Sequence, residues 1–228
     1  MPMKTRRIQD GDTAQAFKRD TGESKNIRLL DKKCIHNNTL QVINQYTVSQ
    51  AEGAAHDNRY DVTILVNGLP LVHVELKRRG VAIREAFNQI NRYKRDSFWA
   101  GSGLFDYVQI FVISNGTNTK YYSNTTRLGH IKDFNSSAAR KRGKTSNSFE
   151  FTSFWADAKN RIIPDLMDFT KTFFAKATIL NILTKYCVFT SEELLLVMRP
   201  YQIVATERIL NRIEIATNYK RYGTVQGG

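Results

Sequence analysis

The chain is poor in cysteine and has no long apolar run. Its 228 residues include two cysteines, Cys34 and Cys187, which are far apart and show no paired spacing. This spacing excludes a disulfide framework and a cysteine-ligated zinc site, and it is typical of free thiols in a reducing compartment. No apolar stretch approaches a membrane span, and no positively charged start precedes an apolar core. We therefore expect a cytoplasmic protein with no membrane contact.

A nucleotide-binding loop is also missing. The one Gly-Lys-Thr is Gly143-Lys144-Thr145, and Ala138 stands where the first glycine of a G-x-x-x-x-G-K-T loop belongs. Basic, serine- and asparagine-rich residues surround it instead of the strand and helix that such a loop joins. We interpret the match as chance. Without a phosphate-binding loop or an Asp-Glu Walker B element, we expect no ATPase activity from this sequence.

Acidic residues are outnumbered, with 21 Asp and Glu against 34 Lys and Arg, for a net charge of +13. This excess favours a polyanionic partner, because clustered cations gain affinity for phosphates by releasing counterions. Net charge alone also fits ribosomal or membrane-surface proteins. Residues 127–147 lose apolar periodicity and gather cations, either as a solvated loop or as contacts to a DNA backbone. The candidate DNA-binding residues there are Arg140, Lys141, Arg142 and Lys144.

The most informative run extends from Arg59 to Lys77. Its two β-branched and apolar segments, 62–66 and 71–76, flank Asn67-Gly68, which is a strong signal for a β-hairpin. Side chains alternate along a strand, so Glu75 and Lys77 leave one face about 7 Å apart while Leu76 points into the opposite, buried side. One face of the hairpin therefore carries a carboxylate beside an ammonium.

The hairpin register decides whether Asp61 joins Glu75. A strict two-residue loop sets Asp61 opposite Val74, on the wrong face, whereas a three-residue loop sets it across from Glu75. A one-residue slip moves every side chain to the other face, so a site here requires an odd-length loop or a β-bulge. Pro70 marks a suitable position, since it cannot donate to the ladder.

Two carboxylates across a hairpin can hold Mg²⁺ or Mn²⁺, which prefer oxygen ligands and keep several waters. We expect the Asp61 and Glu75 carboxylates within about 6 Å of each other. A bound metal polarises a phosphodiester, and a nearby Lys77 stabilises the charge that develops. The competing interpretation is an exposed face with an ordinary Glu–Lys pair, which is far more common for a bare E-x-K.

After Gly80 the apolar period changes from two to about 3.6, which predicts an amphipathic helix. Gln89 and Tyr93 lie four residues apart on one stripe of it. They can project two hydrogen-bonding side chains toward the preceding strand. Seen alone, such a pair is more often a half-buried tyrosine beside a solvated glutamine.

Together, Asp61, Glu75-x-Lys77 and Gln89-x-x-x-Tyr93 resemble the nuclease domain of HsdR, the restriction and motor subunit of type I restriction-modification enzymes. The resemblance extends from about residue 26 to the C-terminus. It implies an α/β, PD-(D/E)-x-K (RecB-like) endonuclease core with a mixed β-sheet flanked by helices, plus a helical C-terminal extension. It also implies Asp61 and Glu75 as metal ligands and Lys77 as the group that orients the attacking water or stabilises the transition state. Gln89 and Tyr93 become supporting residues.

Arg199-Pro200-Tyr201-Gln202 resembles the segment upstream of the Walker A loop in superfamily two helicases. The resemblance implies that Gln202 contacts the adenine of ATP, in the full-length subunit only. The family's early acidic helix has no equivalent before residue 26, and Glu52 is the best local substitute. We expect a fragment with a polar segment at 1–25, a nuclease core at 26–148, a helical connection at 149–198 and the start of a motor domain at 199–228.

Local patterns predict the secondary structure around the motifs. Strands are expected at 27–30, 40–48 and 120–124, and a strand buried on both faces at 107–113. Helices are expected at 163–174, 179–186 and 201–215, with Pro164 and Pro200 in their first turns.

Two functions remain open. By the resemblance, the first is a metal-dependent endonuclease domain that hydrolyses unmodified foreign double-stranded DNA without local sequence specificity, alongside modification and specificity subunits. The second is a noncatalytic DNA-binding or assembly module that keeps the nuclease fold. For the isolated chain we expect weak, salt-sensitive DNA binding and slow or absent cleavage.

Overall fold

Seven strands form one mixed sheet in a computed structural model that describes residues 15–27, 29–48, 57–96, 98, 104–124, 148–191 and 194–218. The strands are β1 (Gln15–Lys18), β2 (Ser24–Ile27), β3 (Leu40–Val48), β4 (Asn58–Val66), β5 (Leu69–Leu76), β6 (Ile110–Ser114), β7 (Thr119–Ser123), β8 (Ser153–Ala156), β9 (Ile162–Ile163), β10 (Cys187–Phe189) and β11 (Leu195–Val197). The helices are α1 (Ile83–Asp96), α2 (Leu166–Phe173), α3 (Lys176–Thr184) and α4 (Pro200–Asn218). Short 3-10 turns cover Ile35–Asn37, Leu104–Tyr107 and Ser148–Phe151.

The central sheet has the strand order β3-β4-β5-β6-β7-β8-β9. The pair β5 and β6 is parallel, and the other described ladders are antiparallel. Parallel neighbours need a crossover connection, and α1 supplies it. The strand, strand, helix, strand order expected for the core is therefore present. β1–β2 and β10–β11 form separate two-stranded sheets.

The two faces of this sheet pack against different helices. Val72, Val74 and Val112 face a core that α2 and α3 cover with Phe169, Phe173, Ile179 and Leu183, among others. Phe111, Ile113 and Tyr122 face a second core, which α1 covers with Ala86, Phe87 and Ile90. Alternation along β6 thus sends successive side chains into opposite cores, which explains why all five of its residues are buried.

Several predicted elements are confirmed. β3 spans the predicted 40–48, β6 and β7 lie within a few residues of their predicted positions, and Pro200 is the first residue of α4. The predicted strand at 27–30 is wrong, because β2 ends at Ile27 and residues 29 and 30 lie outside any strand. Pro164 is not in a first turn either, since α2 begins at Leu166 after the N-cap Asp165, whose side chain accepts from two backbone N–H groups.

The segment 149–198 is more than the helical connection that the sequence suggests. It holds α2 and α3, and it also contributes β8 and β9 to the central sheet and forms the β10–β11 hairpin. These strands have two to four residues, too few for periodicity to reveal them. Within the described residues, no helix is both long and apolar enough to cross a membrane. Glu52 and the basic run 127–147 lie outside the described residues.

Candidate active site

The β4–β5 turn has two residues, and a bulge beside it corrects the register. Asn67 and Gly68 have φ of 52° and 82°, so both take the left-handed region that a type I′ turn requires. The ladder pairs Leu65 with Pro70 but Ile64 with Val72, which leaves Leu71 as an extra residue. The bulge predicted near Pro70 is confirmed.

This bulge brings Asp61 to Glu75. The regular ladder ends at Val62 and Val74, so the next position places Asp61 opposite Glu75 instead of Val74. The Asp61 carboxylate is half-buried, and its Oδ2 accepts a hydrogen bond of 2.8 Å from the Leu76 backbone N–H. Asp61 is therefore held against the end of β5, beside the peptide that follows Glu75.

Glu75 and Lys77 form an ion pair at the end of β5. The Glu75 side chain is fully buried, and the Lys77 ammonium lies 3.0 Å from its Oε1. The Lys77 backbone N–H donates to the Ser114 carbonyl at 2.8 Å, which ties the end of β5 to β6. Leu76 leaves the opposite face and packs on the α2–α3 core. We expected this side chain to be buried, but it is only half-buried.

Gln89 and Tyr93 extend this ion pair into a chain of hydrogen bonds. Lys77 donates to Gln89 Oε1, Gln89 Nε2 donates to the Tyr93 hydroxyl, and that hydroxyl donates to the Arg59 carbonyl at 3.0 Å. Burial and the negative charges of Glu75 and Asp61 raise the pKa of Tyr93 to about 12, despite the opposing Gln89 hydrogen bond. The phenol therefore stays protonated at physiological pH and remains a donor.

His73 belongs to the same cluster, and the sequence analysis missed it. Its imidazole is fully buried, with Nε2 at 3.6 Å from Glu75 Oε2. Tyr60 and Phe98 present ring contacts to it, with centroids 5.5 Å and 5.1 Å away. The available signal was its position two residues before Glu75, which places both side chains on one face of a strand.

Two cations lie on the α1 side of the sheet near this cluster. Glu75 pairs with Ile113 on β6, and Ile113 pairs with Lys120 on β7, so Lys120 shares the face of Glu75 two strands away. Its ammonium lies 4.8 Å from the Phe149 ring centroid and 4.6 Å from that of Phe154. The Arg84 guanidinium lies 4.8 Å from the same Phe149 ring. Burial lowers the pKa of Lys120.

Five further residues were predicted to bind DNA or ATP. Arg140, Lys141, Arg142 and Lys144 lie outside the described residues. Gln202 is on α4, where its Oε1 accepts a hydrogen bond of 2.8 Å from the Arg199 N–H at the start of that helix. This contact caps the helix.

The site therefore combines a Glu-x-Lys pair and an aspartate on one hairpin of a mixed sheet. The Gln89 and Tyr93 side chains of the crossover helix α1 complete it. The family model described as type I restriction enzyme R protein N terminus (HSDR_N) matches residues 3–130. The chain belongs to this family.

Curated relatives agree with this assignment. The chain is 55% identical over 211 residues to the type I restriction enzyme EcoprrI endonuclease subunit of Escherichia coli, covering 92% of this chain and 61% of that subunit. It is 37% identical over 203 residues to the SsaAORF53P endonuclease subunit of Staphylococcus saprophyticus, covering 89% of this chain and 19% of the relative. The chain thus spans about three fifths of one relative and a fifth of the other.

Proposed function

We propose that the chain is the metal-dependent DNA endonuclease domain of a type I restriction enzyme R subunit. The observation that carries the proposal is that Asp61 accepts a hydrogen bond from the backbone of Leu76, the residue between Glu75 and Lys77, which themselves form an ion pair at the end of β5. The bulge in the hairpin supports the proposal, because it sets the register that places Asp61 opposite Glu75. Both relatives are named as endonuclease subunits, which supports the same chemistry.

The donor set fits a hard divalent cation. Asp61 and Glu75 offer carboxylate oxygens, and Glu75 Oε2 is buried without a hydrogen-bond partner among the described residues. Among the described residues, no third His, Cys, Asp or Glu completes a metal-binding group. Water and substrate oxygens would therefore fill the other coordination positions of the cation. Mg²⁺ is commonly held in this way. When bound, Mg²⁺ or Mn²⁺ would polarise the phosphodiester and lower the pKa of a coordinated water.

The remaining side chains would stabilise the charge on the substrate phosphate or hold Lys77 in position. Lys77 keeps about a fifth of its side chain exposed, at 22%, so its ammonium can also reach a substrate phosphate. Its bonds to Glu75 and Gln89 hold it in place before substrate arrives, which lowers the cost of organising the site during reaction. Tyr93 fixes Gln89 from behind by donating in turn to the Arg59 carbonyl. Asp61, Glu75 and Lys77 would therefore contact metal or substrate, and the other two would orient Lys77.

The substrate we propose is unmodified foreign double-stranded DNA, cut without local sequence specificity. The cluster holds carboxylates and an ammonium, which act on phosphates, and phosphate contacts carry no base information. Recognition would belong to the specificity subunit, with the modification subunit as the further partner. ATP would serve the full-length subunit, where Gln202 is the proposed adenine contact.

Cleavage and translocation assays on the full-length subunit, assembled with its partners, test this function. With supercoiled plasmid, Mg²⁺ and ATP, we expect Asp61→Asn, Glu75→Gln and Lys77→Ala each to abolish cleavage while ATP-driven translocation continues. Lys171→Ala serves as the matched control, since Lys171 and Asp168 form an exposed pair elsewhere, 3.2 Å apart. Cleavage at a normal rate by Lys77→Ala would contradict its role.

If none of the three substitutions alters cleavage, we would conclude instead that the domain is a noncatalytic DNA-binding or assembly module. The isolated chain gives a second test, because we expect it to bind duplex DNA weakly and to cut slowly or not at all. Rapid linearisation of plasmid by the isolated chain with Mg²⁺ and no ATP would show instead that the domain is self-sufficient.

A further inference from the structure

His73 is a polar side chain in an apolar surrounding. It lies on β5 opposite Thr63 of β4, with no solvent exposure, and the rings of Tyr60 and Phe98 pack edgewise against it. Burying an imidazole with an unpaired ring nitrogen is costly, and phenylalanine would fill such a pocket at lower cost. The histidine therefore has a role that its ring shape alone does not explain.

The two ring nitrogens face different partners. Nδ1 lies 3.4 Å from the Thr63 hydroxyl oxygen, and Nε2 lies 3.6 Å from Glu75 Oε2. Both Nε2 and Oε2 are buried, and neither has a closer hydrogen-bond partner among the described residues. A movement of a few tenths of an ångström would join these two atoms, and each would gain the partner it lacks.

The chemistry of the three groups sets the direction of the bonds. When the Thr63 hydroxyl donates to Nδ1, the neutral imidazole carries its hydrogen on Nε2. That hydrogen then faces Glu75 Oε2, and a carboxylate can only accept. Lys77 already donates to the other oxygen, Oε1. The carboxylate would thus be held from both oxygens, while about half of its roughly four lone-pair sites stay open to a cation.

We propose that His73 is a positioning residue for Glu75, set in its tautomer by Thr63, and that it orients the carboxylate for a divalent cation. This inference rests on the proposed metal-dependent function. Carboxylates that bind metals are generally hydrogen-bonded by outer residues, and loss of such a residue weakens metal binding or activity roughly 10- to 100-fold.

Calorimetric titration of the purified chain with Mn²⁺ tests the proposal without any cleavage assay. We expect His73→Phe to weaken Mn²⁺ binding by on the order of tenfold or more, and His73→Gln, which keeps an N–H donor, to weaken it less. Thr63→Val keeps the imidazole but loses the hydroxyl, so a smaller loss is expected. Thr119→Val is the matched control, because it removes another buried hydroxyl, 2.9 Å from Ser114 Oγ, and should leave Mn²⁺ affinity unchanged.

A second readout uses the full-length enzyme. If His73 acts through metal binding, His73→Gln should raise the Mg²⁺ concentration needed for half-maximal cleavage, and saturating Mg²⁺ should restore most of the rate. A merely structural role would lower the rate at every Mg²⁺ concentration.

Wild-type Mn²⁺ affinity in a folded His73→Phe chain would overturn the inference. If that variant does not fold, unchanged affinity in both His73→Gln and Thr63→Val would overturn it equally. Asp61→Asn separates the two levels of the argument. If Asp61→Asn loses Mn²⁺ binding while the His73 and Thr63 variants keep it, the inference fails and the proposed function stands. If both Asp61→Asn and Glu75→Gln bind Mn²⁺ as the wild type does, the proposed metal-dependent function fails as well.

Discussion

Replacing Lys77 by Met tests whether the buried ion pair is tightly coupled. The substitution keeps much of the side-chain length but removes the ammonium that lies 3.0 Å from the Glu75 carboxylate. Glu75 has no solvent exposure, so its charge would lose its main partner in a place that water reaches poorly.

The expected loss of folding stability follows from how deeply Glu75 and Lys77 are buried. Removing one partner of a buried pair costs about 3 to 5 kcal/mol. Lys77 is 22% exposed, so water can enter part of the space that its ammonium leaves. We therefore expect a loss of about 2 to 3 kcal/mol, equivalent to a fall in Tm of roughly 6 to 9 °C for a chain of this size.

Urea denaturation of four proteins measures this coupling: wild type, Lys77→Met, Glu75→Gln and the double variant, all without divalent cations. Glu75→Gln removes the charge that Lys77 neutralises, so the double variant should be more stable than Lys77→Met alone, with a coupling energy of about 2 kcal/mol. Lys171→Met is the control, because Lys171 and Asp168 are 70% and 65% exposed, and we expect less than about 0.5 kcal/mol there. Additive effects in the cycle, or a Lys77→Met chain as stable as wild type, would refute the reasoning.

Three further predictions concern pH, DNA and the turn. Burial and the charge of Glu75 raise the pKa of Tyr93 from 10.0 to about 12, so folding stability should fall as pH rises from 10 to 12. Urea titrations at each pH should show a smaller fall for Tyr93→Phe. An identical pH dependence in this variant would contradict the assignment. Lys120→Gln should weaken duplex binding equally for unrelated sequences and reduce the slope of log affinity against log salt by about one, whereas Lys171→Gln should not, as fluorescence anisotropy can measure. Gly68→Ala should cost about 1 kcal/mol in urea denaturation, because Gly68 has φ of +82° with no atom near the new Cβ, so the cost comes from the backbone alone.

The sequence predicted those parts of the site that depend on neighbours along the chain. Alternation along β5 places Glu75 and Lys77 on one face, and the helical period places Gln89 and Tyr93 on one stripe. Asn67-Gly68 predicts the turn, because asparagine and glycine tolerate positive φ. The sequence also limited the register to two alternatives and required a bulge or an odd loop if a site existed.

Only the tertiary structure decided how these parts meet. The bulge at Leu71 sets the register that places Asp61 opposite Glu75. This register is favoured because a one-residue slip would move every side chain of the strand to the wrong face of the sheet. The approach of α1 joins Gln89 to Lys77, and the burial of β5 turns His73 from one residue of an apolar run into a neighbour of Glu75. Such contacts depend on distances between segments that are remote in the chain, and periodicity within a segment carries no information about them. Local order therefore followed from the sequence, whereas the contacts between remote segments, including that of His73 with Glu75, followed from packing.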